Sequence, residues 1–183
     1  MPNFIVGARL HDYGKGTPEE LFGQVSADGF AAVQLAYKKC VPTVKSYADV
    51  TDALVAETVA AEKAHHIQVA VLGTYVELAI NNESRLCNVA DFKSQLAVCR
   101  ALGAGCIGTE TTAMSKQPAG TTRAQAQELL CRSLAEILPA AEALGVTVGI
   151  EPVTYHSMNS AAATRQILDT MRSSNLKVIF DMS

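Results

Sequence analysis

No dense run of lysine or arginine occurs in this chain, and its formal net charge is -3. A nucleic-acid groove needs clustered cations to displace counterions from phosphates, so that class of partner is excluded, and Lys38-Lys39 is too small a cluster to alter this. No apolar stretch reaches the roughly 20 residues a membrane span requires, so no membrane partner is expected. No signal-peptide pattern is expected at the amino terminus, where Met1-Pro2-Asn3 leads into a brief apolar run that soon meets Arg9, His11 and Asp12. The cysteines number five and form no CxxC pair, which favours neither a disulfide framework nor a thiolate zinc site. Cys99 and Cys131 fall on apolar helical faces, where a free thiol acts as a small hydrophobe, and a reducing cytoplasm is the expected location. Low-complexity stretches are missing too, and 49% hydrophobic with 18% charged residues is the composition of an ordered globular chain.

What is present is an alternation of strand and helix signals at intervals of roughly 30 to 40 residues, the spacing of parallel strands joined by returning helices. Strand signals fall at Phe4 to Ala8, Phe30 to Leu35, Ile67 to Leu72, Cys106 to Thr109, Val146 to Ile150 and Lys177 to Phe180. Thr17-Pro18-Glu19-Glu20 reads as a helix start, with a hydroxyl cap, proline at the first helical position and Glu three residues after the cap. Further helices are predicted over Tyr47 to His65 (Val50, Leu54, Val55 and Val59 inward), Val89 to Leu102, Thr122 to Leu144 with a kink at Pro139, and Ser160 to Met171. Ala101-Leu102-Gly103 and Ala143-Leu144-Gly145 both close a helix on glycine before a strand that ends in Glu. Gly7, Gly14 and Gly16 do not match a dinucleotide fingerprint, so a barrel is preferred over a doubly wound nucleotide-binding sheet.

The late strands Gly149-Ile150-Glu151 and Val178-Ile179-Phe180-Asp181 each run continuously apolar into an acid. In a parallel barrel, chemistry sits at such strand ends, and two hard oxygen donors on neighbouring strands suggest a divalent metal. His156, in the loop after Glu151, suits proton exchange near neutral pH; a loop histidine held by a backbone hydrogen bond is the alternative. Glu110 reads as orienting a substrate hydroxyl, as supporting a metal from behind its direct ligands, or as a structural acid capping its loop. His11 and Asp12 follow strand one and line a mouth or a solvated turn. Gln34 reads as a satisfied interior amide, and Tyr75 with Glu77 either closes a polyol pocket or belongs to a surface loop. His65-His66, at a helix end, reads as structural.

Taken in order, Gly29-Phe30 to Gln34-Leu35-Ala36, Leu72-Gly73-Thr74-Tyr75, Leu102-Gly103-Ala104 to Gly108-Thr109-Glu110-Thr111, Ile150-Glu151-Pro152-Val153-Thr154-Tyr155-His156 and Phe180-Asp181-Met182-Ser183 resemble the sugar phosphate isomerase/epimerase family, the xylose isomerase-like TIM barrels. The resemblance covers essentially the whole chain. It implies an α/β fold of the TIM (β/α)8 type in which residues 1–183 are a single domain holding about six of the eight strand-helix units. It also implies a divalent metal held by Glu151 and Asp181, with manganese or magnesium foremost and zinc or cobalt as alternatives. Two further ligands would come from strands seven and eight, so the expectation is a C-terminally incomplete barrel.

The implied activity is isomerisation or epimerisation of a sugar or sugar phosphate by metal-assisted proton transfer next to a carbonyl. Glu151 and His156 would be catalytic, and His11, Tyr75, Glu110 and His156 would bind substrate. An inosose dehydratase-like lyase on the same barrel is an alternative. So is a catalytically inactive partial barrel that associates through open sheet edges, including as a homo-oligomer. The DNA-cleaving zinc branch of the superfamily is disfavoured by only four histidines and the negative charge.

Overall fold

The computed structural model describes residues 4–181, so Met1-Pro2-Asn3 and the terminal Met182-Ser183 motif positions lie outside the described residues. Strands and helices alternate as β1 (Gly7–Arg9), α1 (Pro18–Ala27), β2 (Ala32–Leu35), the single-turn α2 (Tyr37–Cys40), α3 (Asp52–His65), β3 (Gln68–Gly73), α4 (Ser84–Leu102), β4 (Cys106–Glu110), α5 (Arg123–Leu144), β5 (Val148–Glu151), α6 (Ala161–Met171) and β6 (Leu176–Val178). The strands follow chain order in the sheet, β1-β2-β3-β4-β5-β6. This is the α/β arrangement of parallel strands and returning helices expected of a barrel. Contacts gather the chain into two compact units: one runs up to Gly73 and takes in Val98–Cys106, and the other takes in Thr74–Ala97 and the chain from Ile107 onward.

In the first unit the predicted start of α1 is built as a reciprocal cap. The Glu20 amide donates to the Thr17 hydroxyl at 3.3 Å, and the Thr17 amide donates to the Glu20 carboxylate at 2.8 Å. Leu21, Phe22 and Val25 are thereby turned into the core. α1 packs on α3, where the Ser26 hydroxyl donates to the His65 carbonyl at 3.1 Å and Glu19 meets His65 Nε2 at 2.8 Å. His65 therefore acts structurally, as its place at a helix end predicts.

Several boundaries differ from those the sequence predicts. The predicted Tyr47 to His65 helix is broken into a 3-10 turn at Tyr47–Asp49 and α3, because the Thr51 hydroxyl accepts the Leu54 amide at 3.3 Å and starts a new helix. The inward face of α3 is consequently Val55, Thr58 and Ala61. Thr58 is accommodated there because its hydroxyl donates to the Leu54 carbonyl at 2.8 Å and meets the Tyr37 hydroxyl at 2.8 Å. β1 begins at Gly7 rather than Phe4, whose side chain is 87% exposed. Pairing starts where the missing Cβ lets the backbones close up, since a Cβ on Gly7 would lie 2.7 Å from the Ala32 carbonyl oxygen. In β3 the register to β2 steps from Val33 opposite Val69 to Gln34 opposite Val71, leaving Ala70 as a bulge. Cys40 and Cys99 are buried, and burial pushes their thiols up to about 11 and about 12.

In the second unit α5 starts on the reciprocal pair Thr122 and Gln125 and buries Leu130, Leu134, Ile137, Leu138 and Ala141, the face its periodicity predicts. It continues through Pro139 and ends at Gly145, whose φ of 65° is left-handed. α4 opens at Ser84, five residues before Val89, because the Asn82 side chain accepts the Ser84 amide at 2.9 Å. β6 ends at Val178; the Ile179 amide still reaches the Ile150 carbonyl at 3.0 Å, but Phe180 is 81% exposed. Among the described residues no helix is long and apolar enough to cross a membrane.

Candidate active site

The site in the second unit grows from two strand ends held in register, with Glu110 of β4 standing opposite Glu151 of β5. The matching junctions Gly103 and Gly145 are both left-handed and close their helices with the same pair of backbone bonds. Gly103 and Ala104 donate to Arg100 and Cys99, and Gly145 and Val146 donate to Glu142 and Ala141. The repeat in the sequence is thus a repeat in structure. It delivers two half-buried carboxylates to the same end of neighbouring strands.

Beyond β5 the chain turns tightly, with the His156 amide donating to Val153 at 2.9 Å and the Val153 amide to Met158 at 3.1 Å. This turn is stitched to the loop after β4 as a small antiparallel patch. Ala113 bridges His156, the Met114 amide reaches the Tyr155 carbonyl at 3.0 Å, and the Ser157 amide reaches the Thr112 carbonyl at 2.9 Å. The first turns of α5 add Arg123, which donates to the His156 carbonyl, and Gln127, which donates to the Ser157 carbonyl at 2.9 Å.

The result is a histidine only 5% exposed, with Nε2 3.8 Å from Glu110 Oε2. That distance allows charge attraction but exceeds a hydrogen bond. Burial is the largest influence on the ring and lowers its pKa; Glu110 and Glu77 pull the other way, and Lys116 adds to the lowering. The Thr111 backbone also favours the charged ring, yet Nδ1 is buried without a hydrogen bond of acceptable geometry, as is the Ser157 hydroxyl. The lowered pKa favours the neutral ring, the state of a base. The exposed Tyr155 ring meets the imidazole edge-on at 4.7 Å.

The loop after β3 completes this cluster. Tyr75 is half-buried, the Ala79 amide donates to the Thr112 hydroxyl at 3.0 Å, and Glu77 pairs with Lys116. Lys116, Arg123 and Gln127 escaped the sequence reading. For the last two a signal existed in their spacing of four, which puts both on one face at the start of a helix that follows the Glu110 loop.

His11 belongs to the first unit, in the 3-10 turn Leu10–Tyr13 directly after β1. Burial first, then Lys39, lowers its pKa, and its Nδ1 is buried without a hydrogen bond. Asp12 is exposed and held by Arg9 at 2.9 Å, the solvated-turn alternative. Asp181 is exposed, three residues beyond the last residue of β6. Continuing the register of Ile150 with Val178, it lies two residues past the position opposite Glu151.

Among the described residues no three His, Cys, Asp or Glu side chains gather to hold a metal ion. A divalent ion in a protein site takes several such donors, so Glu151 and Asp181 do not by themselves complete one.

A parallel α/β sheet with returning helices is the architecture of the barrel class. The chain belongs to the xylose isomerase-like TIM barrel family, whose description matches residues 22–183. No curated protein matches it. Among solved structures it is similar to the 3-keto-D-glucoside 4-epimerase YcjR from E. coli in its apo form, with a TM-score of 0.78, 15% identity, and coverage of 96% of this chain and 67% of that one. It is also similar to a D-psicose 3-epimerase solved in the presence of D-fructose, with a TM-score of 0.73, 18% identity, and coverage of 94% and 62%. A xylose isomerase-like TIM barrel protein from Mycobacterium smegmatis in complex with magnesium gives a TM-score of 0.74, 12% identity, and coverage of 98% and 65%. At these identities the likeness shows the fold, and the chain spans 62% to 67% of those proteins' lengths.

Proposed function

We propose that the chain is a sugar or sugar phosphate isomerase or epimerase that moves a proton on a carbon next to a carbonyl. The observation that carries this reading is the buried His156 set 3.8 Å from Glu110, whose carboxylate stands in register with Glu151. A neutral imidazole accepts the proton from the carbon, and the nearby Glu110 charge favours the imidazolium that results. Glu151 in its protonated form returns a proton and is left as the carboxylate. Delivery to the same carbon from the opposite side inverts it, while delivery to the carbonyl carbon, with the neighbouring hydroxyl proton passing to the carbonyl oxygen, isomerises the sugar. Solvent then takes the proton from His156 and restores that of Glu151. Tyr75 is assigned to a substrate hydroxyl. Manganese or magnesium is the metal we assign to Glu151 and Asp181. The fold-level likeness to sugar epimerases supports the substrate class, and buried free thiols suit the cytoplasm.

The test is solvent exchange: the chain is incubated in deuterated water with D-fructose, D-psicose and their phosphates, with and without manganese, and followed by NMR. Deuterium entering next to the carbonyl, and lost in His156→Gln, is the expected result; no exchange with any sugar under either condition refutes the reading. A second reading, association without catalysis, is favoured by the exposed apolar Phe4, Ile5, Val6 and Phe180. Light scattering that shows a metal-free oligomer with no exchange would select it.

A further inference from the structure

Among the described residues Nδ1 of His156 has no hydrogen bond of good geometry, although the Thr111 backbone acts on the ring, and the 3.8 Å separation from Glu110 is too long for one at Nε2. The placement of the ring therefore depends on the peptide that carries it. That peptide is gripped on both sides. The Ser157 amide donates to Thr112 at 2.9 Å, while the two successive carbonyls accept from α5, His156 from Arg123 and Ser157 from Gln127 at 2.9 Å. Arg123 and Gln127 are four residues apart, so they present side by side, and both are half-buried.

We propose that Arg123 and Gln127 are positioning residues, a two-point clamp from the start of α5 that holds the His156-Ser157 peptide so that the imidazole stands buried beside Glu110. The inference rests on His156 belonging to the site, but its readout is the ring's own titration. It can therefore fail while sugar exchange is observed, or hold while exchange is absent.

The charges that act on the ring are Glu110 on β4, Glu77 in the loop after β3 and Lys116 in the loop after β4, together with the Thr111 backbone. Loosening the peptide admits water and relaxes the downward push of burial, and Gln127→Ala does so without removing any charge. The experiment follows all four histidines of the full chain by carbon-13 NMR against pH, with His156→Gln assigning the resonance. In Arg123→Gln and in Gln127→Ala the His156 midpoint is expected to rise toward the ordinary value of about 6.5. Arg123→Lys, which keeps one donor, is expected to bring it back down. A parent-like midpoint in folded Arg123→Gln, or no restoration by lysine, overturns the proposal. If Arg123→Gln does not fold by circular dichroism, Gln127→Ala decides alone: a raised midpoint supports the clamp and an unchanged one refutes it.

Discussion

Replacing Glu110 by glutamine keeps the size of the side chain and removes its charge, which isolates what that carboxylate does to His156. At 3.8 Å two unit charges attract by about 1 kcal/mol in water and about 4 kcal/mol at an effective dielectric of 20. The Glu110 side chain is 37% exposed, which places the pair near the lower end, at about 1 to 1.5 kcal/mol. Removing that attraction should lower the His156 midpoint in Glu110→Gln. The sign carries into stability. A histidine whose folded pKa lies below its unfolded value contributes fully above about pH 6.5 and loses that contribution as the pH falls from there through the folded value. Glu110→Gln extends that loss to lower pH, so the variant should be more acid-sensitive than the parent. NMR titration of the ring, with urea denaturation at pH 7.5 and pH 5, measures both quantities. A midpoint that rises or stays in place refutes the reasoning, because Glu110 would then not be the charge that His156 feels.

Gly105→Ala should lower stability by about 1 to 3 kcal/mol, because a Cβ there meets the Ala70 carbonyl oxygen at 2.8 Å and backbone must give way; an unshifted urea midpoint would contradict this. Leu134→Ala, at a fully buried position of α5, should cost about 2 to 5 kcal/mol in the same assay, and a loss below 1 kcal/mol would show that the site collapses around the gap. Among the thiols, the exposed Cys87 should react rapidly with a disulfide reagent in the folded protein, while Cys40 and Cys99 should react only on unfolding. Early modification of Cys99 would count against its burial.

The strand and helix order was readable because each element carries its own local chemistry. Thr17-Pro18 and Thr122 announce helix starts, Gly103 and Gly145 announce ends, and apolar runs such as Val148 to Ile150 have nowhere to go but a buried sheet. Boundaries failed where two local signals competed. Val50 continues a helical stripe, but the Thr51 hydroxyl captures the Leu54 amide and restarts the helix; Phe4 to Val6 has strand composition, but pairing waits for the close approach that Gly7 permits. For the site, Glu110 and Glu151 could be aligned from their matching junctions, and His156 from its loop. The spacing of Arg123 and Gln127 shows their shared helix face but not the carbonyls about thirty residues away that they grip, and the pairing of Glu77 with Lys116 is likewise a long-range contact.

The crosswise stitch between Ala113 and His156 divides the surrounding loops into places that tolerate editing and places that do not. Pro118 to Gly120 lies exposed outside the stitch, so an affinity tag or reporter spliced there leaves Glu110 and its histidine undisturbed. Deleting one residue between Val153 and Met158 would instead slide Tyr155 and Ser157 off their partners Met114 and Thr112 and swing the imidazole out of place.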